Sequence, residues 1–292
     1  MRAAAILGPK ATEGDLRRFQ VSGVDVVTTP DLQGGAAFDA ALIFGGDGSV
    51  HRQLAGLVAS QTPVLCIPAG SGNDFARALG LGTVRHAHAA WRRFCSAADN
   101  VRSIDVAQIT LGAGACNSQL ETQNSLYCCV AGAGLDSEVN RRANRLPSWL
   151  RGHGGYVLSL PAALLAFDAP AVTLELFDSG GRSRFQEPAT LVAFANAPSY
   201  GHGMRIAPRA RLDDGKLDVC FVRRTSKLRL LRLFPKVFSG AHLSLPEVEY
   251  AQCSGLRIES ERPLDIFADG EFIGCTPAEV RLHPRALRVI VP

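Results

Sequence analysis

The run Leu42-Ile-Phe-Gly-Gly-Asp-Gly-Ser-Val-His51 restricts the fold more than any other stretch of the chain. Ala40 to Phe44 is continuously apolar, as a strand covered on both faces should be. Val50, Leu54, Leu57 and Val58 then recur at helical spacing. The intervening loop therefore joins the end of a strand to the start of a helix, which is where open α/β sheets bind ligands. Gly45, Gly46 and Gly48 let the backbone turn sharply and approach a phosphate closely. The free N–H groups of the helix start favour anions. Asp47 opposes a phosphate by itself and makes sense with a divalent cation between the two. A tight turn with a capping Asp is the plain alternative.

A second loop repeats the arrangement. Val64-Leu-Cys-Ile67 feeds Pro68-Ala-Gly-Ser-Gly-Asn-Asp74, and Phe75, Ala78 and Leu79 continue as a helix that stops near Gly80. Gly70 and Gly72 give the backbone room, while Ser71, Asn73 and Asp74 either cap that helix or face a phosphate. No Walker lysine follows, so this is not a P-loop. Two such units predict a doubly wound parallel α/β domain. After Ser103 the texture changes to short strands, among them one at Leu126 to Val130, separated by turn residues, and Leu111 to Asn124, rich in Gly, Ser, Asn and Gln, reads as a surface hairpin or loop. Helical patterns interrupt them at about Tyr156 to Phe167 and Lys227 to Phe238. This predicts a mainly antiparallel β-sandwich or barrel. The expected division is residues 1–103, an α/β nucleotide-binding domain, and 104–292, a β-rich domain.

Composition narrows the partners. With 47% hydrophobic and 20% charged residues the chain can bury a sizeable core. A net charge of +4 is too small to imply nucleic acid. No apolar run is long enough to span a bilayer, and the first residues are too weakly apolar for a signal peptide. The expected location is cytoplasmic. The eight cysteines follow no disulfide or metal-binding spacing, which predicts reduced, buried thiols. Cations gather in Arg141-Arg-Ala-Asn-Arg-Leu-Pro-Ser-Trp-Leu-Arg151 and at Lys227, Arg229, Arg232 and Lys236. Such stretches suit anionic lipid headgroups or are simply solvated helix faces.

The two loops together resemble the catalytic domain of diacylglycerol kinases, sphingosine kinases and the bacterial YegS-like lipid kinases. The resemblance rests on Gly-Gly-Asp-Gly-Ser-Val50 and Pro-Ala-Gly-Ser-Gly-Asn-Asp-Phe-Ala-Arg77. It continues through Ala131-Gly-Ala-Gly-Leu-Asp-Ser-Glu-Val139, the segment Asn196 to Val219, and Asp269-Gly270-Glu271. These matches occur in the family's order over nearly the whole chain.

That resemblance implies an ATP-dependent, Mg²⁺-dependent kinase acting on a lipid hydroxyl, with the active site in the cleft between the two domains. Asp47, Asp74 and Asp105 match acids that organise the catalytic Mg²⁺ through water. Glu271 matches the base that takes the proton from the lipid hydroxyl. Gly45, Gly46, Gly48, Ser49, Gly70, Ser71, Asn73 and Lys10 fall in the nucleotide-binding set. Asp214, with the carbonyls of Arg211 and Lys216, matches a structural Mg²⁺ site, and oxygen-only ligation also suits Ca²⁺. An ion-free Asp-Asp-Gly turn is the alternative there, and an exposed hairpin acid is the alternative for Glu271.

The implied substrate is diacylglycerol or a similar lipid met at the membrane surface, by peripheral association. Homodimerisation is left open. Gly8 stands where the family usually carries Asn, Ser49 where Thr is common, His51 where Asn is usual, and His202 interrupts a glycine run. These departures touch adenine and ribose contacts and none of the acids. The rival readings are a kinase of a soluble substrate, because NAD kinases and phosphofructokinases share Gly-Gly-Asp-Gly, and a non-catalytic lipid- or nucleotide-binding regulator.

Overall fold

A computed structural model describes residues 1–32, 37–112, 124–145, 155–178, 180–201 and 203–292. Residues 113–123 of the expected loop, most of the arginine cluster's second half, and His202 lie outside the described residues. The chain forms two compact units, Met1–Val106 with Pro284–Pro292, and Ala107–His283.

In the first unit the strands are β1 (Arg2–Leu7), β2 (Asp25–Thr28), β3 (Ala40–Gly45) and β4 (Val64–Pro68). They pair in parallel in the order β2-β1-β3-β4, with Leu42 opposite Ala5 on one side and Leu65 on the other. The helices are α1 (Glu13–Arg17), α2 (Asp47–His51), α3 (Leu54–Ser60), α4 (Asp74–Ala78) and α5 (Val84–Ala97). Alternation of parallel strands with helices gives the expected doubly wound α/β unit. The central strands are buried along their length, consistent with cover on both faces.

Helix α5 falls in a region where no element is expected from the loop pattern. Its own spacing carries the signal, because Ala87, Ala90, Trp91 and Phe94 recur at helical intervals and are buried. Thr83 caps it, its hydroxyl accepting from the His86 N–H at 3.2 Å. Trp91 donates to the Phe19 carbonyl at 2.7 Å and so ties α5 to the region of α1. The single helix expected after Gly48 is in fact two, broken between His51 and Leu54.

The second unit begins within β5 (Val101–Leu111) and continues with β6 (Asn124–Tyr127), β7 (Val130–Gly134), α6 (Leu135–Arg145) and α7 (Gly155–Ala166). Then come β8 (Ala171–Asp178), β9 (Gly181–Ala195), β10 (Leu217–Arg223), α8 (Lys227–Leu233) and α9 (Lys236–Ser239). The last strands are β11 (Val248–Cys253), β12 (Gly255–Ser260), β13 (Asp265–Ala268), β14 (Glu271–Cys275) and β15 (Ala278–Ile290). Among the described residues the strand pairings within this unit are antiparallel.

Strand β9 joins the two layers of the sandwich. Its first half pairs β8, which leads on through β12 to β15. Its second half pairs β7 and β10, leading to β13, β14 and β11. Leu174, Leu256 and Val280 from one layer share a core with Phe194, Val219 and Ile266 from the other. The α/β-plus-β-sandwich class is therefore as expected.

Three expectations need correction in detail. Residues 104–292 do not all belong to the second unit. Pro284–Pro292 returns to the first, where Val289 pairs in parallel with Val64. Asn100 secures this return, donating to the Val291 carbonyl at 2.6 Å and the Ala90 carbonyl at 3.0 Å. The single strand expected from Leu126 to Val130 is split into β6 and β7 by a bend at Cys128 and Cys129. Six cysteines among the described residues are in no disulfide, and burial pushes the Cys220 and Cys253 thiols up to about 12, as inert core thiols require. Cys275, however, is disulfide-bonded, which overturns the reduced-thiol expectation there.

Candidate functional site

The two glycine loops, separate in sequence, meet in the first unit. A Cβ added to Gly70 would lie 2.4 Å from the Gly46 Cα, so the backbones touch where only glycine fits. A Cβ on Gly45 would lie 2.4 Å from the Ser49 side chain. Asn73 has a left-handed backbone (φ 56°) and closes the second loop with its own amide. Its Oδ1 accepts from the Gly70 N–H at 2.9 Å and its Nδ2 donates to the Gly70 carbonyl at 2.9 Å.

Asp47 joins one loop to the other. Its Oδ2 accepts from the Asp74 N–H at 3.1 Å and its Oδ1 from the Phe75 N–H at 2.9 Å. The carboxylate thus caps α4, the neighbouring helix, while itself sitting in the first turn of α2. Asp74 is 3% exposed and ion-pairs with Arg77 at 2.7 Å. Gly72 lies against both acids, because a Cβ there would come 2.8 Å from Asp47 Oδ2 and 3.5 Å from Asp74 Oδ2. The two carboxylates therefore border one small space that any larger residue would fill. A divalent cation held through water fits that donor set.

Asp105 is 1% exposed and its Oδ1 accepts from the Arg285 N–H at 2.8 Å. Arg285 has a positive φ of 54°, so Asp105 pins an irregular point of the last strand. The three acids do not converge directly. Among the described residues the cluster close enough for direct ligation is Cys128, Cys129 and Asp269. Ser49 is buried, its hydroxyl lying 3.4 Å from the Arg52 guanidinium, while Ser71 and Lys10 are exposed.

Gly8 has a steric reason. A Cβ would lie 2.8 Å from the Phe44 carbonyl oxygen and 2.9 Å from the Ser49 hydroxyl. The asparagine usual in the family therefore has no room beside this β3 end.

In the second unit, Glu271 is exposed at the start of β14, directly after the Asp269-Gly270 turn. Both turn residues have positive φ, 51° and 88°. Asp269 does the holding. Its Oδ2 accepts from the Cys128 N–H at 2.9 Å, and its Oδ1 from the Cys129 N–H at 2.9 Å and the Val130 N–H at 3.3 Å. Three successive N–H groups thus close on one carboxylate, which produces the bend between β6 and β7 and seats the turn that presents Glu271. Reading Asp269-Gly270 only as a turn signal missed this, although an Asp before Gly is the residue that tolerates a left-handed backbone. Asp269→Ala should lower stability by about 2–4 kcal/mol, because it strands buried donors. A denaturant titration checks this, and an unchanged midpoint would refute it.

Asp136 is the other acid the motif reading passed over. It is buried and accepts from the Tyr200 hydroxyl at 2.7 Å. Both border a cavity of about 120 Å³ whose walls are almost wholly apolar, including Leu160, Leu164, Leu230 and Phe234.

At the proposed structural-metal loop, Asp214 Oδ1 accepts from the Lys216 N–H at 3.1 Å across Gly215, which has φ 71°. Arg211 lies 3.7 Å from Asp213. At the foot of the loop, Asp218 is fully buried and its Oδ1 accepts from the Tyr250 hydroxyl at 2.6 Å and Gln252 at 3.0 Å. Burial raises the Asp218 pKa, and Tyr250 is raised with it, by burial first and then by its bond to Asp218.

Comparison with known proteins places this arrangement in a class. Residues 24–109 match the diacylglycerol kinase catalytic domain. Residues 129–291 match the YegS C-terminal NAD kinase beta sandwich-like domain. The chain therefore belongs to the diacylglycerol kinase family of lipid kinases. It is 35% identical to the diacylglycerol kinase of Mycobacterium tuberculosis, over 97% of this chain and 90% of that one. It is 31% identical to a probable YegS-like lipid kinase of Chromohalobacter salexigens, over 85% of this chain and 74% of that one. A putative diacylglycerol kinase from Bacillus anthracis shares the fold, with TM-score 0.71 at 21% identity, covering 100% of this chain and 97% of that one. Yeast NADH kinase shares it more distantly, with TM-score 0.57 at 11% identity, covering 100% of this chain and 83% of that one.

Proposed function

We propose that this protein transfers the γ-phosphoryl group of ATP to the free hydroxyl of diacylglycerol or a closely similar lipid, at the membrane surface. The observation that carries the lipid acceptor is the mainly apolar cavity of the second unit, whose polar side chains, Asp136, Thr190, Tyr200, Thr225, His242 and Glu247, are outnumbered by aliphatic and aromatic ones. A soluble acceptor such as NAD or a sugar phosphate has no use for such walls, whereas an acyl chain does.

The glycine loops, with Ser49, Ser71, Asn73 and Lys10, receive the nucleotide phosphates through backbone N–H groups and a cation. Asp47, Asp74 and Asp105 would hold Mg²⁺ through water. When bound, that ion supplies neutralisation of charge on the transferring phosphoryl oxygens. Glu271 accepts the proton of the lipid hydroxyl as the new O–P bond forms. Asp214 with the carbonyls of Arg211 and Lys216 would hold a structural Mg²⁺ or Ca²⁺.

The test is a panel of dioctanoylglycerol, NAD and fructose 6-phosphate with labelled ATP. Label is expected in the lipid alone. Label in NAD or the sugar phosphate instead would move the chain to the soluble-substrate kinases, and nucleotide binding with no labelled product would make it a regulator.

A further inference from the structure

Helix α7 is apolar on every side although it is not enclosed. Leu160, Ala163 and Leu164 turn inward, onto a cluster with Leu135 and Val139 of α6. The opposite face consists of Leu158, Pro161, Ala162 and Leu165, at positions i, i+3, i+4 and i+7. All four are exposed, Leu165 to 73%. A helix apolar all round is normally buried in protein or lipid. At 12 residues α7 is too short to cross a bilayer, and no helix among the described residues is long and apolar enough to do so.

Helix α8 packs beside α7, and the Lys227 ammonium donates to the Leu165 carbonyl at the end of α7. Leu230 and Phe234 of this region face inward, towards the same cluster. Leu228 of α8 remains 69% exposed. From Ser226 to Pro246 the chain carries Lys227, Arg229, Arg232 and Lys236 and no Asp or Glu. Arg229 is paired with Glu247 and Lys227 with the Leu165 carbonyl, which leaves Arg232 and Lys236 as exposed cations of this face with no ion pair among the described residues. Exposed leucines bordered by uncompensated cations match the chemistry of an anionic bilayer surface.

We propose that the outward faces of α7 and α8 are the surface by which this protein lies on an anionic membrane. Leu158, Leu165 and Leu228 enter the boundary between headgroups and acyl chains, and Arg232 and Lys236 meet lipid phosphates. The inward faces of the same two helices wall the apolar cavity. The docked helices are thus also the barrier an acyl chain passes to reach it. This last point rests on the lipid-kinase reading, whereas membrane docking does not.

Sedimentation with vesicles, without nucleotide, tests the docking alone. The vesicles are phosphatidylcholine, with or without about 20% phosphatidylglycerol. The full chain is expected to sediment with the anionic vesicles, less so as salt rises. The double variant Arg232→Gln/Lys236→Gln should partition about thirtyfold more weakly, and Leu165→Asp/Leu228→Asp at least about tenfold more weakly. Both should keep wild-type melting temperatures and wild-type turnover of monomerically dispersed dioctanoylglycerol. Equal sedimentation of variants and wild type overturns the proposal. So does a wild-type dimer that Leu165→Asp/Leu228→Asp converts to monomer while no form sediments, because the face then belongs to a second copy. If the wild type sediments and the cation variant does not, yet no lipid is phosphorylated, docking stands and the kinase reading falls.

Discussion

Replacing Asp47 with Asn is expected to lower phosphoryl transfer by about 10²–10³-fold, the loss typical when one preorganised charge-stabilising group is removed. The geometry makes the choice of replacement matter. Asp47 accepts two backbone N–H groups at the start of α4. Asp47→Ala strands both donors and should cost about 1–3 kcal/mol of stability in addition to turnover. Asp47→Asn keeps one acceptor oxygen and removes the charge, so its stability loss should be the smaller. Comparing denaturant midpoints and kcat for the two variants separates the roles. If Asp47→Asn turns over at the wild-type rate, Asp47 is a helix cap and the cation site bordered by Gly72 is wrong.

Glu271→Gln is expected to reduce kcat by about 10²–10⁴-fold, the range for loss of a positioned base. Stability should be unchanged, because Glu271 is exposed at the first position of β14. Here the split between kcat and KM is the sharper readout, because kcat should fall while the KM for the lipid stays near its wild-type value. Near-normal turnover in Glu271→Gln would remove the residue from the chemistry. Asp269→Ala would then test only the bend it holds.

The class of fold was readable because two apolar strands each run into a glycine loop and then a helical pattern. Parallel sheets with covered faces leave that kind of trace. What escaped were contacts between distant segments. Nothing local to Gly46 or Gly70 announces that their backbones meet at a distance only glycine tolerates. Nothing near Asp47 shows that its partners are the N–H groups of Asp74 and Phe75. Local signals also went unused, as in α5, where Ala87, Trp91 and Phe94 mark a plain amphipathic helix. Asp269 illustrates a third kind of miss. A carboxylate that collects three N–H groups from the bend after β6 is a long-range event, and the sequence displays only its turn.

The return of Pro284–Pro292 to the first unit sets an order of events during synthesis. Residues 107–283 leave the ribosome as one uninterrupted block, able to close their sandwich as soon as β15 has begun to emerge. The first unit has been waiting since β4 was made. Its Val64 edge stays unpaired until Val289 arrives, and the Asn100 amide has no Val291 carbonyl to hold until then. An open parallel edge is the feature most exposed to wrong partners during folding. The part of the chain made first is therefore completed last, and its open edge persists from the synthesis of β4 until Val289 emerges.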